Sequence, residues 1–160
     1  MKPHTLSILV ENKAGVLSRV TGLFSRRGFN IESLAVGPCE EPGMSRITIV
    51  VIGDDAKVEQ VMKQLHKLID VIKVSDLSEN ERVERELALI KVNAEPGTSR
   101  AEILQIASIF RALIVDVGSK SVILEVTGDT EKIDALEKLL RQYGVKELVR
   151  TGKILSLIHI

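Results

Sequence analysis

The sequence has 160 residues, of which 44% are hydrophobic and only 2% are aromatic. This is enough apolar material for one medium-sized domain or two small ones, with cores built from aliphatic side chains. Lysine plus arginine (22) balance aspartate plus glutamate (22), so no net positive field would attract nucleic acid or anionic lipid. The composition therefore favours a soluble globular protein and argues against nucleic acid and membranes as partners.

The cysteine content and the first residues bear on the compartment. Cys39 is the single cysteine, which excludes an internal disulfide and fits a reducing environment. Residues 1–5 lead directly into a strand-like pattern and leave no room for a signal or transit peptide. No apolar run approaches the roughly 20 residues that cross a bilayer. We therefore expect a cytoplasmic protein.

Hydrophobic periodicity in the first half of the chain predicts the element order βαββαβ. Alternation with a period of two indicates strands, and apolar residues three and four apart indicate helices. Gly28 is placed to end the first helix. The predicted elements are a strand at 4–11, a helix between Val16 and Gly28, strands at 31–36 and 47–52, a helix over 58–69 and a strand at 71–77.

The same series is repeated in the second half. The polar stretch 78–82 is the predicted linker, and Gly128-Asp129 matches Gly53-Asp54 at a distance of 75 residues along the chain. Four antiparallel strands with two helices on one face form the ferredoxin-like plan. We predict an α+β protein with two tandem ferredoxin-like βαββαβ domains, at residues 1–78 and 82–160.

Differences between the two copies indicate where a site lies. The second copy has Ala112 in place of Gly28 and Ile114 in place of Asn30. Requirements of the scaffold are shared by both copies, so polar and glycine residues found in only one of them are candidates for binding. The first copy is therefore the candidate binding domain.

A turn and a helix start in the first copy suit a small zwitterion. Gly15 precedes a helix whose first backbone N–H groups lack intrahelical partners and can hold a carboxylate. The side-chain amides of Asn12 and Asn30 can bind an α-ammonium or carboxylate group through neutral hydrogen bonds. An aliphatic ligand side chain could be surrounded by Val16, Leu17 and Ile31. Valine, leucine or isoleucine would fit such a pocket.

Simpler interpretations of these residues remain open at this point. Asn12 and Gly15 can be explained by the turn alone, and residues 28–30 by a helix end followed by a loop. The adjacent pair Asp54 and Asp55 is typical of a helix N-cap rather than a cation site. The three histidines show neither a paired nucleophile nor metal-ligand spacing, so we expect no catalytic or metal site.

Two segments around the first helix resemble the small regulatory subunits of acetolactate synthase, also called acetohydroxyacid synthase. They read ENKAGVLSRV at 11–20 and GLFSRRGFNIESL at 22–34. The resemblance continues through 45–49, 64–68, 83–87, 109–111 and 150–152 and ends only at the tail, 156–160.

This resemblance implies an N-terminal ACT domain, a module that commonly binds amino acids where two copies associate, and a C-terminal ACT-like domain. A homodimer would complete the site. In the family, the matching Asn, Gly and Asn positions contact the effector. Here they are Asn12, Gly15 and Asn30, with Ala14, Val16, Leu17 and Ile31 lining the pocket.

The resemblance also implies a role in branched-chain amino acid biosynthesis. Such subunits stimulate a large catalytic subunit and make it sensitive to feedback inhibition by valine or another branched-chain amino acid. The partner holds thiamine diphosphate, magnesium and FAD and condenses pyruvate with pyruvate or 2-oxobutyrate. We expect no cofactor in this chain, which is not itself an enzyme.

Proteins with such a fold can have other functions. An ACT sensor could control a different enzyme or a transcription factor, but the long match at the first helix favours acetolactate synthase. RNA-binding sheets of this plan expose aromatic residues, whereas these central strands carry aliphatic ones. The tail 155–160 can either add a strand or remain unstructured.

Overall fold

Two antiparallel sheets, each packed on one face against two helices, make up this computed structural model, which describes residues 2–158. One compact unit runs to Arg82 and a second from Val83 to Ser156, while Leu157 and Ile158 group with the first. The elements are β1 (Lys2–Glu11), α1 (Val16–Arg26), β2 (Ile31–Pro38), β3 (Met44–Gly53), α2 (Asp55–Leu65), β4 (Val71–Asp76), β5 (Arg82–Asn93), α3 (Thr98–Ile109), β6 (Leu113–Val117), β7 (Ser121–Gly128), α4 (Thr130–Leu140), β8 (Val145–Arg150) and β9 (Ile154–Leu157).

The strand order confirms the predicted α+β class with two βαββαβ repeats. The first sheet has the order β2-β3-β1-β4 and the second the order β6-β7-β5-β8. β9 is an additional strand that pairs with β5. Of the two alternatives for the tail, the added strand is therefore correct as far as Leu157, and residues 159–160 lie outside the described part of the chain.

Aliphatic alternation explains why the sheets bury one face against the helices. In β1, the side chains of Leu6, Ile8 and Val10 are at most 3% exposed, and they join Val20 and Val61 from the two helices in one core. Burial of such side chains stabilises a fold by about 1.5–3 kcal/mol each. No helix among residues 2–158 combines the length and apolar character needed to span a membrane.

The second helix is shorter than its apolar stripe predicts. α2 ends at Leu65, because the following backbone tightens into a turn in which the N–H of Leu68 donates to Leu65 O at 3.1 Å. Leu68 then packs against the core, whereas Ile69 is 92% exposed. The inclusion of Ile69 in the helix is therefore wrong, since periodicity alone does not show where a helix gives way to a turn.

Equivalent aspartates begin the second helix of each unit. Asp54 accepts a hydrogen bond from Lys57 N at 2.8 Å, and Asp129 accepts one from Lys132 N at 2.9 Å. Each satisfies a backbone N–H that has no partner within the helix. The prediction that Asp54 caps a helix is confirmed, and the internal repeat is visible at atomic detail.

Candidate functional site

The turn between β1 and α1 is built to leave backbone donors open. The N–H of Asn12 donates to Gly43 O at 2.8 Å, which fixes the end of β1. Gly15 has φ +84°, a left-handed conformation that favours glycine, and no side chain caps the helix that follows. The N–H of Val16 donates to Lys13 O at 3.4 Å, whereas the N–H groups of Leu17 and Ser18 have no acceptor in the turn and are available to an anion. This turn and first helical residues contain five of the predicted contact residues: Asn12, Ala14, Gly15, Val16 and Leu17.

These five residues differ in what they present to a ligand. Asn12 and Ala14 are exposed, and the Asn12 amide has no hydrogen-bond partner among residues 2–158. Leu17 is 40% exposed. Val16 is only 3% exposed and packs in the core, so it anchors the turn and offers no side-chain surface in this unit.

A guanidinium group lies beside the turn, which sequence reasoning missed. Nη1 of Arg19 is 3.2 Å from the position that a Cβ on Gly15 would take, and Nη2 donates to the carboxylate of Asp70. The Asp70 side chain is only 9% exposed, and its backbone oxygen accepts from Glu11 N at 2.9 Å. The expectation of purely neutral recognition is therefore incomplete, since a positive charge stands next to the open N–H groups.

A second ion pair adds to the electrostatics of the turn. Lys13 lies 2.9 Å from Glu11, measured from Nζ to Oε2, and the hydrogen bond to Glu11 raises the Lys13 pKa. The nearby Asp70 raises this pKa further, whereas Arg19 lowers it. Both cations next to Gly15 are therefore paired with carboxylates, so an incoming ligand carboxylate would compete with protein carboxylates for them.

The remaining two predicted residues, Asn30 and Ile31, stand where α1 has ended and β2 begins. Gly28 has φ +77° and the N–H of Phe29 donates to Phe24 O at 2.9 Å, which closes the helix. The two phenylalanine rings meet edge to face with centroids 6.1 Å apart. Asn30 is exposed and Ile31 half-buried, so this end also presents an amide and an aliphatic surface.

One chain does not bring these two groups together. Ile31 pairs with Val51 of β3, and Val51 pairs with His4 of β1. Asn12 therefore lies eight residues further along the β1 direction than the strand position beside Ile31, a separation of about 26 Å at 3.3 Å per residue. The turn group and the Asn30 group occupy opposite ends of the same sheet.

The equivalent turn of the second unit is filled by its own side chain. Ala94 N donates to Lys120 O as Asn12 N does to Gly43 O, and Gly97 has φ +120° where Gly15 has φ +84°. There Arg100 donates to the carbonyl oxygens of Ala94 and Gly118, each at 2.7 Å. This turn keeps the glycine but has an alanine in place of Asn12. Its guanidinium group, that of Arg100, is hydrogen-bonded to backbone carbonyl oxygens of the same unit.

The structure corrects the alignment of the two copies at the first helix end. Ala112 N donates to Ala107 O at 2.8 Å, the bond that Phe29 makes in the first unit. Arg111, with φ +56°, therefore corresponds to Gly28, and Leu113 corresponds to Asn30. The pairing of Ala112 with Gly28 and of Ile114 with Asn30 is wrong by one residue, because a non-glycine residue adopts the left-handed conformation here. An apolar residue still replaces Asn30.

Among residues 2–158, no three histidine, cysteine, aspartate or glutamate side chains are arranged so that they could hold a metal ion. The arrangement at the turn instead suits the recognition of a small anionic or zwitterionic group.

Comparison with known proteins places both units in one family. Residues 6–73 match the family model of the AHAS small subunit-like ACT domain. Residues 85–155 match the model described as the small subunit of acetolactate synthase. Together these matches cover most of the chain.

Individual relatives agree with the family models over nearly their whole lengths. A probable acetolactate synthase small subunit of Archaeoglobus fulgidus is 62% identical over 151 residues, covering 94% of each chain. The acetolactate synthase small subunit of Mycolicibacterium smegmatis is 53% identical, covering 94% of this chain and 88% of that one. The crystal structure of the acetolactate synthase small subunit from Thermotoga maritima superposes with a TM-score of 0.87 at 47% identity, covering 98% of both chains.

Proposed function

Because the chain belongs to the acetolactate synthase small-subunit family, we propose that it stimulates a separate catalytic subunit and confers feedback inhibition by a branched-chain amino acid, with valine as the first candidate. The catalytic partner would hold thiamine diphosphate, magnesium and FAD and condense pyruvate with pyruvate or 2-oxobutyrate. This chain would supply only the binding of the effector and its coupling to the partner.

The proposal that two chains share each site rests on the distance between the two predicted contact groups within one chain. A valine molecule is far smaller than the distance of about 26 Å between Asn12 and Asn30 along one sheet. A two-fold symmetric dimer would bring the turn of one chain to the Asn30 end of the other and would create two identical sites. In each, the open N–H groups and Arg19 would face the carboxylate of the effector, while Leu17 and Ile31 would contact its side chain.

Inhibition would follow from linkage between two binding events. An effector that joins two chains favours one arrangement of the regulatory dimer over others. If that arrangement supports the catalytic subunit less well, valine lowers activity, and the catalytic subunit in turn lowers valine affinity by the same factor.

The first test is calorimetric titration of the chain with valine, with leucine, isoleucine and alanine for comparison. Asn12→Ala and Asn30→Ala should each abolish saturable binding. Asn93→Ala serves as the matched control, because Asn93 precedes the equivalent turn in the second unit. Saturable binding that survives both first-unit substitutions would overturn the proposed site.

An equimolar mixture of the two binding-deficient variants tests whether the site is shared between chains. In a mixed dimer, Asn12 of one chain meets Asn30 of the other at one site, and that site is intact. After subunit exchange, about one quarter of the wild-type sites should return. A site formed within one chain would recover none.

Gly15→Asp separates inhibition from stimulation. The substitution introduces a carboxylate where the carboxylate of the effector is expected, at a φ of +84° that disfavours a side chain. In assays of acetolactate formation with the catalytic subunit, inhibition by valine should be lost while stimulation is retained. Loss of both would indicate a misfolded chain.

A further inference from the structure

An ion pair between two elements of the first unit lies beside the turn of the effector site. Arg19 belongs to α1, and Asp70 belongs to the turn that precedes β4. Nη2 of Arg19 donates to the Asp70 carboxylate, and Nη1 of the same guanidinium is 3.2 Å from the position that a Cβ on Gly15 would take. One nitrogen of the guanidinium therefore contacts the carboxylate, while another faces the turn.

The two side chains of this pair differ in what they can offer to a ligand. The Asp70 side chain is only 9% exposed, whereas that of Arg19 is 49% exposed. Nη1 of Arg19 has no hydrogen-bond partner among residues 2–158. A guanidinium has five N–H donors in a fixed planar arrangement, so it can keep one carboxylate and still donate to a second. Asp70 is therefore covered, while Arg19 remains available to the carboxylate of an effector.

Backbone hydrogen bonds hold Asp70 in place at the edge of the sheet. Its carbonyl oxygen accepts from Glu11 N at 2.9 Å, and the N–H of Val71 donates to Leu68 O at 3.1 Å. Val71 then pairs with Val10 of β1. The Asp70 carboxylate is therefore attached to the sheet, whereas a long arginine side chain without a partner has many rotamers. Contact with Asp70 restricts the guanidinium to positions next to the turn.

Backbone hydrogen bonds also identify the position that is equivalent to Arg19 in the second unit. The N–H of Arg19 donates to Gly15 O at 3.1 Å. The N–H of Ala101 donates to Gly97 O, also at 3.1 Å. Since Gly97 occupies the place of Gly15, Ala101 corresponds to Arg19, and the second unit has no guanidinium at this position.

The carboxylate of the pair is absent from the second unit as well. Gly144 O accepts from Asn93 N at 2.9 Å, in the way that Asp70 O accepts from Glu11 N. Gly144 therefore corresponds to Asp70. The second unit forms the same βαββαβ fold without either charged group, so the fold itself does not require the pair. Both members occur in the unit that also carries the exposed amide of Asn12.

We propose that Asp70 is a positioning residue of the effector site, which holds Arg19 so that its Nη1 faces the carboxylate of a bound amino acid. This inference rests on the proposed function, because the ligand is the effector of that site. Asp70 itself does not contact the ligand and acts only through the guanidinium. The preference of the site for a free carboxylate over an amide therefore depends on both residues.

A double-mutant cycle, measured by calorimetric titration of the full chain with valine, tests whether Asp70 acts through Arg19. Arg19→Gln should weaken binding about tenfold, because it removes a charge-assisted hydrogen bond. Asp70→Ala should weaken it about fivefold, since the guanidinium is no longer held before the ligand binds. Asp70→Asn keeps an acceptor oxygen and should recover part of this loss. In the Arg19→Gln chain, Asp70→Ala should cause no further change.

The ligand preference gives a second readout that a merely structural role would not change. Valinamide has the ammonium group and side chain of valine but no carboxylate. The ratio of valine to valinamide affinity should fall about tenfold in Arg19→Gln and by a smaller factor in Asp70→Ala. If Asp70 only stabilised the fold, Asp70→Ala would weaken both ligands equally and would act equally with and without Arg19.

Glu137→Ala is the matched control, because Glu137 forms a carboxylate–guanidinium pair with Arg141 at 2.7 Å in the second unit. It should leave valine binding unchanged. Tighter binding in Asp70→Ala would overturn the proposal, since it would show that Asp70 repels the ligand carboxylate. Valine binding that is lost in Asn12→Ala but unchanged in Arg19→Gln would overturn this inference alone. A wild-type chain without saturable valine binding would overturn the proposed function too.

Discussion

The two units share one backbone plan and differ in how they treat the two ends of their central strand. In the second unit an arginine closes each end, Arg100 at the turn and Arg150 at the opposite corner. In the first unit the side-chain amide of Asn12 is exposed at the turn, and at the opposite corner His4 lies between Asp76 and Asp55, at 2.8 and 3.0 Å. The two units thus carry different polar groups at the two ends of a shared fold.

We expect this difference to separate residues that maintain the fold from residues that are available to a ligand. A buried or partly buried acceptor needs a donor, and an intramolecular guanidinium supplies it permanently. The following variants test this division by changing equivalent positions in both units.

The largest effect is expected at the closed corner of the second unit. Glu86→Gln removes a carboxylate that is 6% exposed and leaves the Arg150 side chain, 27% exposed, with Asp134 as its remaining carboxylate partner. Breaking such a buried pair should lower the free energy of unfolding by about 3 kcal/mol. Lys2→Gln, at the first-unit position that pairs with Gly53 as Glu86 pairs with Gly128, should cause no measurable change. Urea denaturation measures both, and equal losses would contradict the division.

Two equivalent glycines at the ends of β3 and β7 should give an intermediate effect. A Cβ on Gly53 would lie 2.2 Å from the ring of Phe29, whereas one on Gly128 would meet the flexible stem of Lys132 at 2.4 Å. Gly53→Ala should therefore destabilise the chain by about 2 kcal/mol through overpacking. Gly128→Ala should cost little, since the lysine can move.

Hydrogen exchange locates the effect of the glycine substitutions. Faster amide exchange in Gly53→Ala should be confined to the first unit, where Phe29 precedes Asn30. The substitution should also weaken valine binding. Equal thermal shifts for the two glycine variants would show that the Phe29 ring relaxes as easily as the lysine.

Smaller and equal effects are expected at the shared helix caps. Asp54→Ala and Asp129→Ala each remove one side-chain acceptor from a backbone N–H, at 2.8 and 2.9 Å respectively. Each should lower the free energy of unfolding by about 1 kcal/mol in denaturant titrations. A large inequality between them would indicate that the caps carry a function in one unit only.

The fold could be predicted from the sequence because its aliphatic residues alternate with a period of two in the strands and its repeat is regular. Leu6, Ile8 and Val10 already indicate a strand with one buried face, and the structure buries all three. The end of α2 could not be predicted from the sequence, since Leu68 and Ile69 are equally apolar. Only the tightened turn directs one of them into the core and the other into solvent.

Part of the candidate site could be predicted from the sequence. Asn12 and Gly15 are neighbours in sequence, so their turn could be predicted from local chemistry alone. The pairing of Arg19 with Asp70 joins residues 51 positions apart, and no local pattern indicates it. Local patterns also gave no indication that Asn30 stands at the opposite end of the sheet, because that distance is set by the strand register.

The smallest predicted effect concerns pH and again contrasts the two corners. Hydrogen bonds lower the Asp76 pKa in the folded first unit, whereas at the second-unit corner Arg150 is positively charged and its pKa is raised above an already high value by Glu86. A carboxyl group with a depressed folded pKa stabilises the fold above its unfolded pKa, near 3.9, and loses this contribution as the pH falls through the folded value.

The difference in unfolding free energy between wild type and Asp76→Asn, under about 1 kcal/mol at neutral pH, should therefore shrink below about pH 4. Urea midpoints measured from pH 7 to 2 test this, with the exposed second-unit variant Asp116→Asn as control. A difference that stays constant with pH would assign the stabilisation to the shape of the Asp76 side chain rather than to its charge.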